Sequence, residues 1–323
     1  MAIDYFEQAE RVAQTAEMRE LSRSAIDQLS DETEQTKATL WFALGTGYDD
    51  NALLADDEID FSSDQSDNLY QLTLYGNLQL LGTQKHGLQA LALYQQETYA
   101  ELTDFDSKYR WFGAQYAFPI GGLQNQLRYS AHQTVLGEDD FENNTTTSLI
   151  SGVMLGATTQ LRFKLDYESV DAEDDFAFLD GDRKAAALTL RHHKKRWSIG
   201  YKHETNDRND LLTNNNEFFS FSPTKDKLEL KFIWPLSNSF GTEFDTSKTQ
   251  KTYPDPDTRL EGTNTQREDD RTNASLLFYY LFKGNWRLNL EFNHSENSSN
   301  FAEFNYARST AFISLDKAFE FSW

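Results

Sequence analysis

No cysteine occurs among the 323 residues of the chain. That absence excludes disulfide frameworks, thiolate-ligated zinc and cysteine nucleophiles. Basic residues are scarce: 30 Lys and Arg stand against 52 Asp and Glu, for a formal net charge of −22. A surface that neutralises phosphates needs basic patches, so no nucleic-acid partner is expected. Long apolar runs are missing as well. No stretch approaches the ~18 consecutive apolar residues of a spanning helix, which excludes a helical membrane protein. The first residues, Met1-Ala2-Ile3-Asp4, have neither the basic start nor the apolar centre of a secretory signal. The sequence therefore reads as a mature chain with an added Met or as a fragment of something longer, ahead of the alternative of a cytosolic chain that never carried a signal. Aromatic residues, in contrast, are plentiful: 24 Phe, 15 Tyr and 6 Trp. Disordered acidic chains are poor in them, so this chain folds. A polar, acidic, aromatic-rich, cysteine-free chain points to a closed β-barrel in a bacterial outer membrane, surrounded by lipid and lipopolysaccharide.

The hydrophobic pattern divides the chain near residue 37. Within residues 1–36, Phe6, Ala9, Val12, Ala16, Leu21, Ile26 and Leu29 recur at mostly helical spacings among Glu, Gln, Arg and Ser. This predicts a short amphipathic α-helical segment on the periplasmic side. It is either a stalk or plug packed on the barrel, or the end of a helical repeat array. Over residues 37–323 the period becomes two. Leu161, Phe163, Leu165 and Tyr167 alternate with Arg162, Lys164, Asp166 and Glu168; Trp286, Leu288, Leu290 and Phe292 alternate with Arg287, Asn289, Glu291 and Asn293. That is the strand period.

Connection lengths say more than alternation, which soluble sheets share. Short turns are expected near 82–86, 118–122, 156–160, 192–196, 235–238 and 283–285. Longer polar connections are expected at 49–66, 100–107, 137–146, 170–183, 206–216, 253–271 and 295–305. Short and long alternate throughout, which predicts an all-β fold: a transmembrane antiparallel up-and-down β-barrel of about fourteen strands, with both termini on the periplasmic, short-turn side. Trp41, Trp197, Trp234, Trp286 and Trp323 all fall near short-turn ends or the chain end, while Trp111 does not. Trp41, Trp197, Trp234 and Trp286 are therefore expected to form an aromatic girdle at the headgroup level.

The final strand alternates Ile313, Leu315, Phe319, Phe321 and Trp323 against a mostly polar face, with Lys317 interrupting the first. Its last aromatics, Phe319, Phe321 and Trp323, form the pattern of an assembly signal, read by strand addition by the barrel assembly machinery. The opening motif GTGYDDNALL at 45–54, led by ATLWFAL, and the closing segment NSSNFAEFNYARSTAFISLDKAFEF resemble the two ends of barrels that follow helical repeats. Those are the surface lipoprotein assembly modifiers and related exopolysaccharide export barrels. The resemblance implies export or surface display of a lipoprotein or polysaccharide rather than catalysis. The chain departs from that pattern in lacking a full repeat array, which puts partner recruitment by the array in doubt.

The polar strand face nominates lumen-lining residues: Arg128, Arg162, Lys164, Asp166, Glu168, Arg196, Lys202, Glu229, Lys231, Arg287 and Glu291. Arg110 shares the pattern, but its strand alternates less cleanly and it is the one most easily displaced outward. Opposite signs along one face suggest cross-strand ion pairs that stiffen the wall, or a filter for a polar substrate. The acid concentrates in the long loops, at Asp49-Asp50, Asp56-Asp57-Glu58, Glu138-Asp139-Asp140, Asp171 to Asp175 and Glu268-Asp269-Asp270. None has EF-hand spacing, so these read as solvated surface and no metal site is assigned. No G-x-S-x-G, H-E-x-x-H or P-loop occurs. Ser130 and His132, two apart on one strand, stand about 7 Å apart, too far for direct proton transfer. No catalytic residue and no cofactor are expected. Three functions stay open: an export conduit or assembly factor, a general diffusion porin, and a surface anchor that binds a partner through its acidic loops.

Overall fold

The computed structural model describes residues 37–52, 64–213, 217–257 and 265–322. The helical segment expected within 1–36, the acidic triplet 56–58 and Trp323 lie outside the described residues. The first strands are β1 (Lys37–Asp49), β2 (Asp67–Gly82), β3 (Gly87–Tyr99), β4 (Ser107–Ile120) and β5 (Leu123–Leu136). Next come β6 (Asp139–Met154), β7 (Thr159–Ala172), β8 (Gly181–His192) and β9 (Trp197–Arg208). The short strands β10 (Leu211–Leu212) and β11 (Phe218–Phe219) pair only with each other. The wall resumes with β12 (Thr224–Pro235), β13 (Phe240–Asp257), β14 (Thr265–Phe282), β15 (Trp286–Ser299) and β16 (Tyr306–Ser322). Excluding β10 and β11, fourteen strands close into one antiparallel barrel, each beside its sequence neighbour, with β16 returning to β1. Closure leaves no edge, which a sheet in hydrocarbon requires.

Two expected long connections are shorter than their polarity suggested. Residues 137–146 are not a loop: β5 and β6 are joined at Gly137 and Glu138, where Gly137 takes the left-handed φ of 59°. Likewise β13 and β14 run on to Asp257 and from Thr265, through most of the stretch 253–271. Apolar alternation marks only the part of a strand that faces lipid. Beyond it the ladder continues with polar residues on both faces, and period two no longer shows.

Parity separates the faces. Leu40, Leu44, Tyr70, Leu74, Phe112, Tyr116, Leu127, Phe163, Leu165, Leu188, Leu228, Leu290 and Phe292 are all exposed on the outside of the wall. A soluble protein would bury such a band; here it meets acyl chains. On the short-turn side, Phe42 contacts Trp286 edge-on at 5.6 Å and stacks on Phe319 at 6.0 Å, and Trp234 stacks on Phe232 at 5.9 Å. Lys317, the apparent interruption of the last strand, lies over the rings of Trp286 and Phe319 at 4.9 and 4.7 Å. Its charge is held by ring faces at the interface. On the long-loop side a second girdle appears that sequence reading did not anticipate. Tyr48, Tyr70, Tyr129, Tyr167 and Tyr201 are each the last aromatic of an outward run and are about half exposed.

Trp41 corrects the expected girdle. Its neighbours Leu40 and Leu44 carry the outward parity, so its indole points inside, where Nε1 donates to Asp316 Oδ1 at 3.1 Å. Trp197, Trp234 and Trp286 share the outward parity of Ile199, Phe232 and Leu288. Phe319 and Phe321 also face outward, in line with Ile313 and Leu315.

The buried apolar clusters sit at the long-loop rim, not in a central core. One joins Leu136, Phe141 and Leu179 with Phe176, Phe178 and Phe221. The other joins Ala52, Leu69 and Tyr99 with Leu102, Phe105 and Phe312. The second lies at the β1–β16 seam, where thirteen residue pairs run from Lys37↔Ser322 to Asp49↔Thr310. Gly45 and Gly47 make room for the inward Phe312 ring: a methyl on Gly45 would overlap it, and one on Gly47 would meet it at 2.6 Å.

The Phe312 contact makes Gly47 sensitive to any side chain. Gly47→Val is expected to cost about 1–3 kcal/mol through overpacking. Heat-modifiable electrophoretic mobility of the refolded protein checks this: the variant should lose the compact, fast-migrating form at a lower temperature than wild type.

Candidate functional site in the barrel lumen

The inner wall encloses a cavity of about 920 Å³. It is lined from β2 through β9 and from β13 through β16, so it is the barrel lumen rather than a surface pocket. Acidic and basic side chains line it in equal number, seven of each. The net negative charge of the chain therefore lies elsewhere, largely in the long-loop regions.

Six of the nominated lumen residues fall into three charge clusters. On β7, Lys164 pairs with Asp166 at 2.8 Å, Asp166 accepts from Ser148 Oγ at 2.6 Å, and Glu168 is held by Arg183 and by Thr146 Oγ1 at 3.0 Å. Lys202 on β9 pairs with Glu204, which Lys225 also reaches at 3.3 Å. On the far side, Lys231 and Arg287 converge on Glu243 at 3.4 and 2.9 Å, and Arg287 lies over the Tyr279 ring at 4.7 Å. Glu229 pairs with Lys227 at 3.1 Å, and Glu291 accepts from Ser275 Oγ at 3.3 Å. Arg162 takes the inward parity of Lys164, in register with Gly152 and Thr189. Arg196 is not on a strand: it occupies the β8–β9 turn with a φ of 53°, and its Nη1 is buried without a hydrogen-bond partner among the described residues. Arg110 lies outside, donating to Gln133 Oε1 at 2.8 Å.

Arg128 belongs to a different structure, one that charge-based reading missed. Gln89 donates to Gln79, Gln115 donates to Gln89, and Arg128 Nε donates to Gln115 Oε1 at 3.0 Å. The guanidinium also stands 5.7 Å from the Trp111 ring. This ladder crosses β2 to β5, its three amides satisfying one another and the last accepting from the Arg128 guanidinium. Its signal was the inward parity of three glutamines. His132 meets Asn144 at 2.8 Å and the Tyr109 ring at 5.3 Å, not Ser130. Among the described residues no group of three His, Asp or Glu converges as a metal site would.

The second missed element is the lock at the seam. Arg308 Nη2 donates to Asp49 Oδ2 at 2.6 Å and Nε to Asp49 Oδ1 at 3.1 Å; Tyr99 Oη donates to the same carboxylate at 2.8 Å. Ser309 N donates to Asp50, and Asn51 Nδ2 donates to Ala307 O at 3.0 Å. The opening motif at 45–54 and the closing segment thus meet as one cluster. Nearby, Asp67 at the loop end of β2 accepts from the N–H groups of Glu101 and Leu102 at 2.7 and 2.9 Å. Burial opposes its ionisation, but the N–H groups of Leu102, Glu101, Asn68 and Ala100 outweigh that and hold the carboxyl below the usual range.

A closed wall with a lipid-facing apolar band, aromatic girdles at both ends and a charged interior defines a transmembrane β-barrel of the outer-membrane type. The chain belongs to the surface lipoprotein assembly modifier family, whose model matches residues 81–319. Among solved structures, OpdL of Pseudomonas aeruginosa is similar at 12% identity and a TM-score of 0.45, over 89% of this chain and 99% of that one. OccAB3 of Acinetobacter baumannii is similar at 10% identity and a TM-score of 0.45, over 88% and 99%. OccK5 of Pseudomonas aeruginosa is similar at 12% identity and a TM-score of 0.44, over 90% and 99%. No curated protein sequence matches the chain.

Two predictions follow from the seam. Arg308→Ala leaves the buried Asp49 carboxylate without its cation and is expected to destabilise the barrel by about 3–5 kcal/mol; urea titration of tryptophan fluorescence in detergent would read the loss as a lower midpoint. Asp67 has a lowered folded pKa, so its stabilisation is fully present above the ordinary carboxylate pKa and is lost as pH falls through the lowered value. Hydrogen exchange of the Glu101 and Leu102 amides should show a fall in protection below about pH 4, and Asp67→Asn should remove that pH dependence.

Proposed function

We propose that this barrel delivers a lipoprotein to the cell surface across the bacterial outer membrane, as a conduit or assembly factor. The observation that carries this reading is the family match over residues 81–319. The lumen supports it: the charged side chains of its wall are balanced in sign, so it favours neither sign of a passing chain. Lys37 of β1 and Ser322 of β16 pair on the short-turn rim, which we assign to the periplasm, with the long acidic loops outside. Phe319 and Phe321 at the end of β16 would serve the barrel assembly machinery as the recognition strand. Arg128, Arg162, Lys164, Asp166, Glu168, Arg196, Lys202, Glu229, Lys231, Arg287 and Glu291 would form the guiding wall, most of them restrained by the pairs described above. Lipopolysaccharide would surround the outer half of the band. No step of this function calls for catalysis.

A diffusion porin is the second reading, favoured by the lumen-wide cavity itself. Two measurements separate the readings. Surface exposure of a lipoprotein, read by protease shaving of intact cells, should fall at least several-fold when the gene is deleted and return with the full chain. In planar bilayers the delivery reading expects brief or no openings, whereas a large steady conductance with normal lipoprotein display would establish the porin.

A further inference from the structure

The outer wall carries a second cavity, of about 480 Å³, on the lipid-facing side of β13 to β16 and β1. Phe244, Leu276 and Phe292 stand side by side in register along its lower edge, and Tyr48 closes the far end beyond Ala311. Its floor is made shallow-chained by Ala274 and Ala311. On β2, β3, β5, β7 and β9 the outward run ends in a tyrosine; here alanines take the place of rings, and the missing side-chain volume is the groove. The surface is predominantly apolar. Polar side chains gather only at the upper edge, where His294 Nδ1 and Ser309 Oγ are 3.1 Å apart and Asp50 accepts from Ser309 N. The groove thus lies where the apolar band gives way to polar wall, on the long-loop side, beside the β1–β16 seam.

We propose that this groove is a berth for a fatty acyl chain of the lipoprotein substrate, which rests on the delivery reading above. The lining excludes a polar ligand, because burying unpaired polar groups there is unfavourable. Size fits a single chain: a cavity of about 150 Å³ holds a benzene ring, so one three times larger takes roughly eighteen carbons. The polar edge matches the other end of such a ligand, since His294 and Ser309 present hydrogen-bonding groups where the ester and amide groups of a lipidated cysteine would lie. The seam itself is fully paired, so the anchor would reach the groove along the membrane rather than through a gap in the wall.

The test uses the full chain in nanodiscs of phosphatidylethanolamine and phosphatidylglycerol. Two probes carry the same photoactivatable acyl chain, one a synthetic diacylglyceryl-cysteine peptide and the other a phospholipid. Peptide mass spectrometry should find the lipopeptide concentrated several-fold on the segments around Ala274 and Ala311 relative to β5 and β7, with the phospholipid spread around the band. Ala274→Trp with Ala311→Trp fills the groove with residues the interface tolerates and should cut lipopeptide labelling several-fold while heat-modifiable mobility persists. If that pair fails to fold, Ala311→Ile alone should give a smaller loss in the same direction. Lipopeptide spread evenly, phospholipid equally enriched in the groove, or labelling untouched by the filled groove would each overturn the proposal. Surface display in cells separates the two claims. Normal display with the groove filled, but none without the barrel, sinks the berth and leaves the delivery reading standing; normal display without the barrel sinks the delivery reading.

Discussion

A sheet that crosses a bilayer cannot leave an edge unpaired, because no water is present to satisfy its N–H and C=O groups. Everything else in this protein depends on β1 meeting β16, two strands separated by nearly the whole described chain. Backbone pairing alone would permit slippage, and a slip of one residue would turn every apolar side chain inward. The seam prevents this with side chains at its loop end. Phe312 fills the space left by Gly45 and Gly47, and the fork of Arg308 grips a fully buried Asp49. One register satisfies both. The bidentate geometry adds direction to the charge, and Tyr99 from β3 ties the lock to the next hairpins.

With closure secured, the inner wall is free to be polar. Its charges are mostly paired: along one strand at Asp166, between adjacent strands at Glu168 and Glu204, and across an intervening strand at Glu243. A wall of this kind presents little net field to a passing molecule, yet it keeps the interior wet and stiff. The amide ladder from Gln79 to Gln115 does the same with neutral groups and ends on the Arg128 guanidinium. The asymmetry of the barrel lies outside instead, where tyrosines crown one arc of the band and alanines open a groove in the other.

Much of this was legible from residue order. Alternation located the lipid-facing part of each strand, and the rhythm of short and long connections gave the strand number and closure. Parity would have placed Trp41 inside, since Leu40, Phe42 and Leu44 carry the outward face; proximity to a chain end was the weaker guide. The same parity, read from Phe112 and Tyr116, sends Arg110 outside. What could not be read was pairing at a distance. Nothing local in GTGYDDN says that its first aspartate meets an arginine 259 positions later, although the two segments that resemble known barrels are the two that touch. Strand lengths were underestimated at Asp139 to Thr146 and at Tyr253 to Asp257, because a ladder beyond the membrane carries no hydrophobic period.

The closed seam is the central claim, and hydrogen exchange of β1 in lipid nanodiscs tests it most directly. Successive amides in an antiparallel strand point to opposite neighbours, so β1 divides its donors between β2 and β16. Closure predicts uniformly slow exchange from Leu40 through Gly47, matching a central strand such as β7. Slow exchange at every second amide, with fast exchange between, would mean that β16 does not hold β1 and that the barrel opens at its seam.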